Sequence, residues 1–159
     1  MERRNIGRSG IEAGGIGLGA WAIGGGLWWG DNDDRMSIDT IHRALELGIN
    51  WVDTARVYGF GHSEEVVGKA LKEIPRENVI LSTKCGIQWY DKNGEYHFSR
   101  EGHDVYRDPS PKAIRRDLEL SLKALGTDYI DVYYTHWQCK TYGLVPVAET
   151  MGELMKMKE

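Results

Sequence analysis

Two cysteines, two phenylalanines and four prolines are all that the 159 residues hold. Cys85 and Cys139 fit neither a disulfide framework nor zinc-ligand spacing, so a reduced, cytoplasmic chain is expected. Charge of one sign is also scarce. The net charge is −4, and no basic face advertises nucleic acid or anionic lipid. No apolar run approaches the roughly 18 residues a membrane span needs, and the opening "MERRNIGRSG" lacks the apolar core of a signal peptide. No linker or low-complexity tract breaks the chain, so a single domain over residues 1–159 with its own core is expected. What is plentiful is amphipathic aromatic surface, with six tryptophans and eight tyrosines. Such rings line ligand clefts as readily as they fill cores.

Glycine concentrates in "GGIGLGAWAIGGG", residues 14–26. Gly17, Gly19 and Ala22 match G-x-G-x-x-G/A, a dinucleotide fingerprint that works only with a helix N-terminus directly behind it to receive the pyrophosphate. The chain instead continues through Gly24, Gly25 and Gly26 into "LWWGDNDD", and successive glycines are costly in a helix interior. The first helix is therefore expected near Asp34 or Ser37, with "DNDD" as a solvated loop and helix start. The Rossmann reading fails on context. A short strand from Gly15 to Gly19, opening onto a flexible loop with Trp21, Trp28 and Trp29, takes its place.

Residues 2–13 read as a small polar hairpin around "GRSG". Ile38, Ile41 and Leu45 then mark one helical face, closed by Gly48. "INWVDTA" reads as a strand, and "HSEEVVGKALKEI" as a helix with Ser63 at the N-cap and Glu64 and Glu65 in its first turn. "NVILSTK" is the next strand. After "PSP", Ser110 caps a helix with Pro111 in first position and Ile114, Leu118, Leu122 and Leu125 as its stripe, ended by Gly126. "YIDVYYTH" is a strand, and "PVAETMGELMKMKE" a helix running to the end of the chain. Strand and helix alternate four times, which predicts an α/β fold with a parallel sheet and right-handed crossovers. The length suits a flavodoxin-like open sheet. A (β/α)8 TIM barrel needs about 250 residues, so this chain would supply its first four strand–helix units behind an N-terminal β-hairpin.

The strand ends favour the barrel, whose catalytic groups sit where strands finish. The second strand ends at Asp53, with Tyr58 in the loop beyond; the third ends at Lys84 and the fourth at His136. Period-two alternation puts Trp51 with Asp53, Ser82 with Lys84, and Tyr134 with His136. Each of these polar groups is costly to bury alone. Singly, Lys84 reads as a surface lysine, His136 as a satisfied loop histidine and Asp53 as a turn former; jointly they read as a site.

These same residues carry a resemblance. "GINWVDTARVYGFGHSEEVVGKAL", residues 48–71, resembles the aldo/keto reductase signature, "STKCG" its lysine strand, "YIDVYYTHW" its histidine strand and "GLGAWAIGG" its cofactor-facing first loop. The likeness runs in order along essentially the whole chain. Gln138 stands where the family often has proline, and the family's chain is longer, so the resemblance implies an N-terminal half-barrel. It also implies an NADPH-dependent oxidoreductase that reduces aldehydes and ketones. Tyr58 would be the general acid, Lys84 and Asp53 its tuners, and His136 the group that orients the carbonyl. Chemistry agrees. A phenol with an ordinary pKa of about 10 is a weak proton donor at neutral pH, and a nearby ammonium lowers that pKa. NADP(H) would meet Gly19, Ala20, Trp21 and Asp53; a small carbonyl or alcohol substrate would meet Trp29, Trp89, His136 and Trp137.

The stretch from Cys85 to Pro109 shows no periodicity and reads as a substrate-facing rim or a mobile surface loop, with Trp89 and Tyr90 as its contacts. His97 and His103 within it have no metal-ligand pattern, and no metal is expected. In the family, most of the clamp on the cofactor's pyrophosphate and adenosine phosphate lies beyond the region resembled here. The chain alone is therefore expected to bind NADPH weakly, to be inactive, and to self-associate through exposed half-barrel edges. Two other readings stay open: a non-catalytic regulatory or redox-sensing subunit of the same fold, and an unrelated flavodoxin-like domain that binds FMN.

Overall fold

The computed structural model describes residues 2–141 and 143–158. Strands β1 (Arg3–Asn5) and β2 (Glu12–Gly14) form the polar hairpin, paired antiparallel. Then come β3 (Leu18–Gly19), α1 (Gly26–Trp29), α2 (Asp34–Glu46), β4 (Trp51–Asp53), α3 (His62–Leu71) and β5 (Ile80–Cys85). Three short strands follow, β6 (Ile87–Gln88), β7 (Glu95–Arg100) and β8 (His103–Arg107), and then α4 (Pro111–Leu125), β9 (Val132–Thr135) and α5 (Val147–Lys158). The last residue of the expected final helix, Glu159, lies outside the described residues. Strands β3, β4, β5 and β9 form one parallel sheet in that order, with at least one helix between each strand of the sheet and the next, although β6, β7 and β8 intervene between β5 and α4. The chain divides into two compact units, Met1–Thr83 with Ser121–Tyr133, and Lys84–Leu120 with Tyr134–Glu159.

In the first unit the apolar core gathers Ile41, Val52, Val66, Val67, Leu81 and Leu125, all buried. Asp33 caps α2 by accepting the backbone N–H of Arg35 at 2.8 Å and of Met36 at 3.0 Å. The same helix closes as a Schellman motif, with Gly48 at φ 85 and Ile49 N–H donating to Ala44 O at 3.0 Å. Mid-helix Gly68 is explained by packing, since a Cβ there would strike the Ala124 carbonyl oxygen and lie 2.9 Å from Leu125 Cα.

Three expectations need correction in this unit. The first strand covers only Leu18–Gly19, not the whole of residues 15–19. The glycine-rich segment is not a flexible loop ahead of a helix near Asp34: a 3-10 turn over Ala22–Gly24 and the single-turn helix α1 precede it. Gly25, Gly26 and Gly30, with φ of 60, 68 and 77, let the chain bend sharply on either side of that turn, so the glycines bracket helix rather than prevent it. Ser63 does not cap α3. Gly61 holds the cap position at φ 105, because the Ser63 hydroxyl is committed elsewhere, donating to Ala20 O at 2.7 Å.

In the second unit the stretch expected to be an irregular rim is a three-stranded antiparallel sheet, ordered β6-β8-β7. Arg100 and His103 pair directly, and between them Glu101 (φ 52) and Gly102 (φ 78) make the two-residue, left-handed turn that hairpins favour. The Gln88 side chain organises the next turn: its amide oxygen accepts the N–H of Tyr90 and Asp91, and its nitrogen donates to the carbonyls of Asp91 and Asn93. Helix α4 begins as expected, with Ser110 Oγ accepting Ala113 N–H at 3.4 Å.

Candidate active site

Within the first unit, Asp53 closes β4 and is held at both ends. Its backbone carbonyl accepts Ala20 N–H at 2.7 Å, and its Oδ1 accepts the Ser82 hydroxyl at 2.6 Å. Trp51 Nε1 donates to the same Ser82 oxygen at 2.9 Å. Trp51, Asp53 and Ser82 thus share the face that alternation assigns them. The sequence reading missed Ser82 as a support for the carboxylate.

Tyr58 opens a one-turn 3-10 helix, Tyr58–Gly61, in which Gly59 and Phe60 both take left-handed backbone angles. For Phe60, φ 51 is a strained conformation, and strain of this kind gathers at functional loops. The loop is seated on the glycine segment: a Cβ at Gly59 would strike the Gly24 carbonyl oxygen. That seating brings the rings of Trp21 and Tyr58 to 6.0 Å at 33°. Trp29 stands edge-on to Trp21 at 5.3 Å, and Trp28 lies 6.3 Å from it. All three tryptophans are about half exposed.

Of the four residues expected to meet the cofactor, Gly19 and Trp21 are exposed and Asp53 is half-buried, and nothing lies within 4 Å of where a Gly19 Cβ would point. Ala20 is buried with both backbone groups spent, its N–H on Asp53 and its carbonyl on Ser63. Open space above Gly19 and a half-exposed indole beside a phenol suit a flat ring such as nicotinamide. Behind the Tyr58 loop, Arg56 pairs with fully buried Glu64 at 2.9 Å, and Thr83 donates to the same carboxylate at 2.7 Å.

Within the second unit, Lys84 is the one residue of β5 that is not buried. His136 follows β9 directly, and its backbone N–H donates to Cys85 O at 2.8 Å. Cys85 is buried, and its thiol donates to Tyr134 O at 3.3 Å, which fits a packing role. Trp137 is about half exposed, and the Arg107 guanidinium lies 5.5 Å over its ring. Trp89 stacks on Tyr90 at 4.8 Å, and Arg116 covers Tyr90 from 4.7 Å. Asp53, Tyr58, Gly19, Ala20, Trp21 and Trp29 therefore belong to the first unit, and Lys84, His136, Trp89 and Trp137 to the second. Among the described residues no cluster of three or more metal-ligating side chains forms, and no helix is long and apolar enough to cross a membrane.

The model of the aldo/keto reductase family matches residues 15–159. The chain belongs to the aldo/keto reductase family. Its sequence is 45% identical over 159 residues to an NADH-specific methylglyoxal reductase of Escherichia coli, covering 99% of this chain and 48% of that protein. A glycerol dehydrogenase from Gluconobacter oxydans superposes with a TM-score of 0.81 at 39% identity, over 98% of this chain and 44% of the other. An aldo-keto reductase from Klebsiella pneumoniae in complex with NADPH superposes with a TM-score of 0.68 at 27% identity, over 92% of this chain and 42% of the other. This aldo/keto reductase chain thus spans about half the length of the relatives it matches. Its fold neighbours are barrel proteins, which decides between the two architectures left open by the sequence in favour of the TIM-barrel family.

Proposed function

We propose that this chain carries the catalytic residues of an NADPH-dependent reductase that converts aldehydes and ketones to alcohols in the cytoplasm. The observation that supports the reading most is the Tyr58 ring beside half-exposed Trp21, one short loop beyond the strand that ends in Asp53. When bound, the nicotinamide supplies a hydride to the carbonyl carbon. Gly19, Ala20, Trp21 and Asp53 are the residues assigned to its nicotinamide half. Tyr58 Oη holds the proton that the nascent alkoxide takes up, and general acids of this kind contribute about 10²–10⁴-fold. Lys84 and Asp53 are the residues assigned to support Tyr58 in that role. Neutral His136 donates to the substrate oxygen and orients the carbonyl, with Trp29, Trp89 and Trp137 flanking the substrate.

A second reading differs in cofactor alone. The Escherichia coli relative is NADH-specific, which favours NADH as the donor here too. The chain by itself is expected to bind either nucleotide weakly, to reduce no carbonyl measurably, and to self-associate through the outer strands of its sheet.

The test joins residues 1–159 to the C-terminal half of the Escherichia coli relative and follows NADPH and NADH oxidation with methylglyoxal and larger aldehydes. The expected result is turnover that Tyr58→Phe lowers by about 10²-fold or more. Full activity in Tyr58→Phe defeats the reading, and a preference for NADH selects the second form of it. Calorimetry and light scattering on the unfused chain check its cofactor binding and its association.

A further inference from the structure

Glu95 and Arg107 face each other across β7 and β8 as a directly paired couple. Both side chains also reach beyond the sheet. Glu95 Oε2 accepts Lys140 N–H at 2.7 Å, while its Oε1 accepts Thr141 N–H at 2.9 Å and the Thr141 hydroxyl at 2.6 Å. Arg107 lies 3.5 Å from Glu95, donates to His97 Nδ1 at 3.0 Å, and spreads over the Trp137 indole. Its own carbonyl accepts the Cys139 thiol at 3.3 Å. Because Arg107 can only donate, the His97 nitrogen facing it carries no proton. The imidazole of His97 completes the enclosure, 6.3 Å from the Trp137 ring.

Most of these contacts reach the segment directly after His136. Trp137, Cys139, Lys140 and Thr141 are each gripped by a side chain or carbonyl of the β7–β8 hairpin, although Trp137 and Lys140 are largely exposed. A segment this exposed depends on such contacts for its position. The grip is also not the arrangement that stability alone would choose. The Arg107 side chain is only 4% exposed, and a buried guanidinium carries a desolvation penalty that an apolar residue of similar size avoids. What a charged, multiply hydrogen-bonded clamp provides in exchange is one fixed geometry.

We propose that Glu95 and Arg107 are positioning residues that fix the Trp137–Thr141 segment and, through it, the substrate-facing placement of His136 and Trp137. The proposal rests on the reading of His136 and Trp137 as substrate contacts. The β7–β8 hairpin then acts as the brace for the histidine end of the site. Neither Glu95 nor Arg107 touches substrate. Losing the brace therefore loosens substrate binding more than it slows the proton and hydride steps.

Two measurements test this, one free of turnover. On the 159-residue chain, Glu95→Ala is expected to speed hydrogen exchange at the Lys140 and Thr141 amides by about tenfold or more. The Asp108 amide, which donates to Gly86 O at 3.0 Å at the end of the β6–β8 pairing, is expected to keep its rate and so to report that this part of the sheet is intact. In the fused barrel, Glu95→Gln and Arg107→Met are expected to raise KM about tenfold with kcat within about twofold. Arg107→Lys, which keeps the charge but not the planar fork, is expected to restore only part of KM. Unchanged Lys140 and Thr141 exchange in Glu95→Ala, or KM and kcat both unchanged in Glu95→Gln and Arg107→Met, overturns the proposal. An inactive parent fusion defeats the reading of the site and leaves the exchange measurement to decide the brace.

Discussion

Gly24 and Gly59 meet backbone to backbone: a Cβ at Gly24 would lie 2.8 Å from the Gly59 nitrogen and 2.8 Å from the Tyr58 carbonyl carbon. Two glycines from distant parts of the sequence thus set how closely the tyrosine loop approaches the tryptophan segment. Gly24→Ala is expected to cost about 1–3 kcal/mol by forcing that contact apart. Gly59→Ala is expected to cost about 1–2 kcal/mol more, since its φ of 59 is left-handed. Gly19→Ala serves as the control, because open space surrounds its Cβ position. Urea unfolding midpoints rank the three. Equal costs at Gly19 and Gly24 would remove the contact as the cause.

Glu64 sits fully buried in the first turn of α3 with Arg56 on one carboxylate oxygen and Thr83 on the other. Glu64→Ala takes the carboxylate from a guanidinium whose side chain is only 10% exposed, and a loss of about 3–5 kcal/mol is expected. Thr83→Val removes a single hydrogen bond to a charged group and is expected to cost about 1.5–3 kcal/mol. Replacing both ions by Arg56→Met with Glu64→Leu is expected to recover most of the Glu64→Ala loss, because no charge then remains buried. Thermal unfolding of the four proteins checks the order; a double variant worse than Glu64→Ala would contradict it.

The parts of this structure that local pattern determines were legible. Helices α2 and α4 carry an apolar face of the right period, Gly48 is the residue type suited to a φ of 85, and β4 ends at Asp53 as expected, while β5 runs one residue past Lys84 to Cys85. The parts set by distant contacts were not. Ser63 looks like a cap, yet its hydroxyl is claimed by Ala20, 43 residues away. The β6–β8 sheet carries little apolar alternation, because most of β7 is half-buried and two of the residues it buries elsewhere are Gln88 and Arg107. The local clues were Asn93–Gly94, a turn dipeptide with Gly94 at φ 90, and Gly102 at φ 78, set among polar residues that obscured them. Glu95 gave no signal at all, since its partners Lys140 and Thr141 lie 45 and 46 residues on.

Asn50 fastens the N-terminal hairpin to the turn ahead of β4. Its Oδ1 accepts Gly14 N–H at 2.8 Å and its Nδ2 donates to Glu12 O at 3.1 Å. Otherwise β1 is exposed along its length. Asn50→Ala is expected to cost about 1–2 kcal/mol for the two bonds, and to make the hairpin the first place a protease cuts. Mass spectrometry of limited digests reads this directly. Early cleavage elsewhere, with residues 2–14 intact, would show that the hairpin is held by something other than Asn50.

Acid is expected to loosen the brace around Trp137 in two stages. Glu95 is drawn from its ordinary 4.5 to about 2, first by the Thr141 hydroxyl and then by the Lys140 N–H. A carboxyl depressed in the folded state contributes stability that is complete above 4.5 and disappears as pH falls toward 2. His97 is also held below its ordinary 6.5, chiefly by burial and then by the Arg107 charge. The unfolded imidazole gains its proton below 6.5 while the folded one resists, so stability falls from that pH downward. Hydrogen exchange at Lys140 and Thr141 is therefore expected to quicken, relative to unstructured amides, first below 6.5 and again below 4.5. His97→Phe removes the upper stage. Glu95→Gln diminishes the lower one without abolishing it, since Asp91 and Glu153 in the same unit are held low as well. Protection at these two amides that grew as pH fell would be incompatible with either linkage.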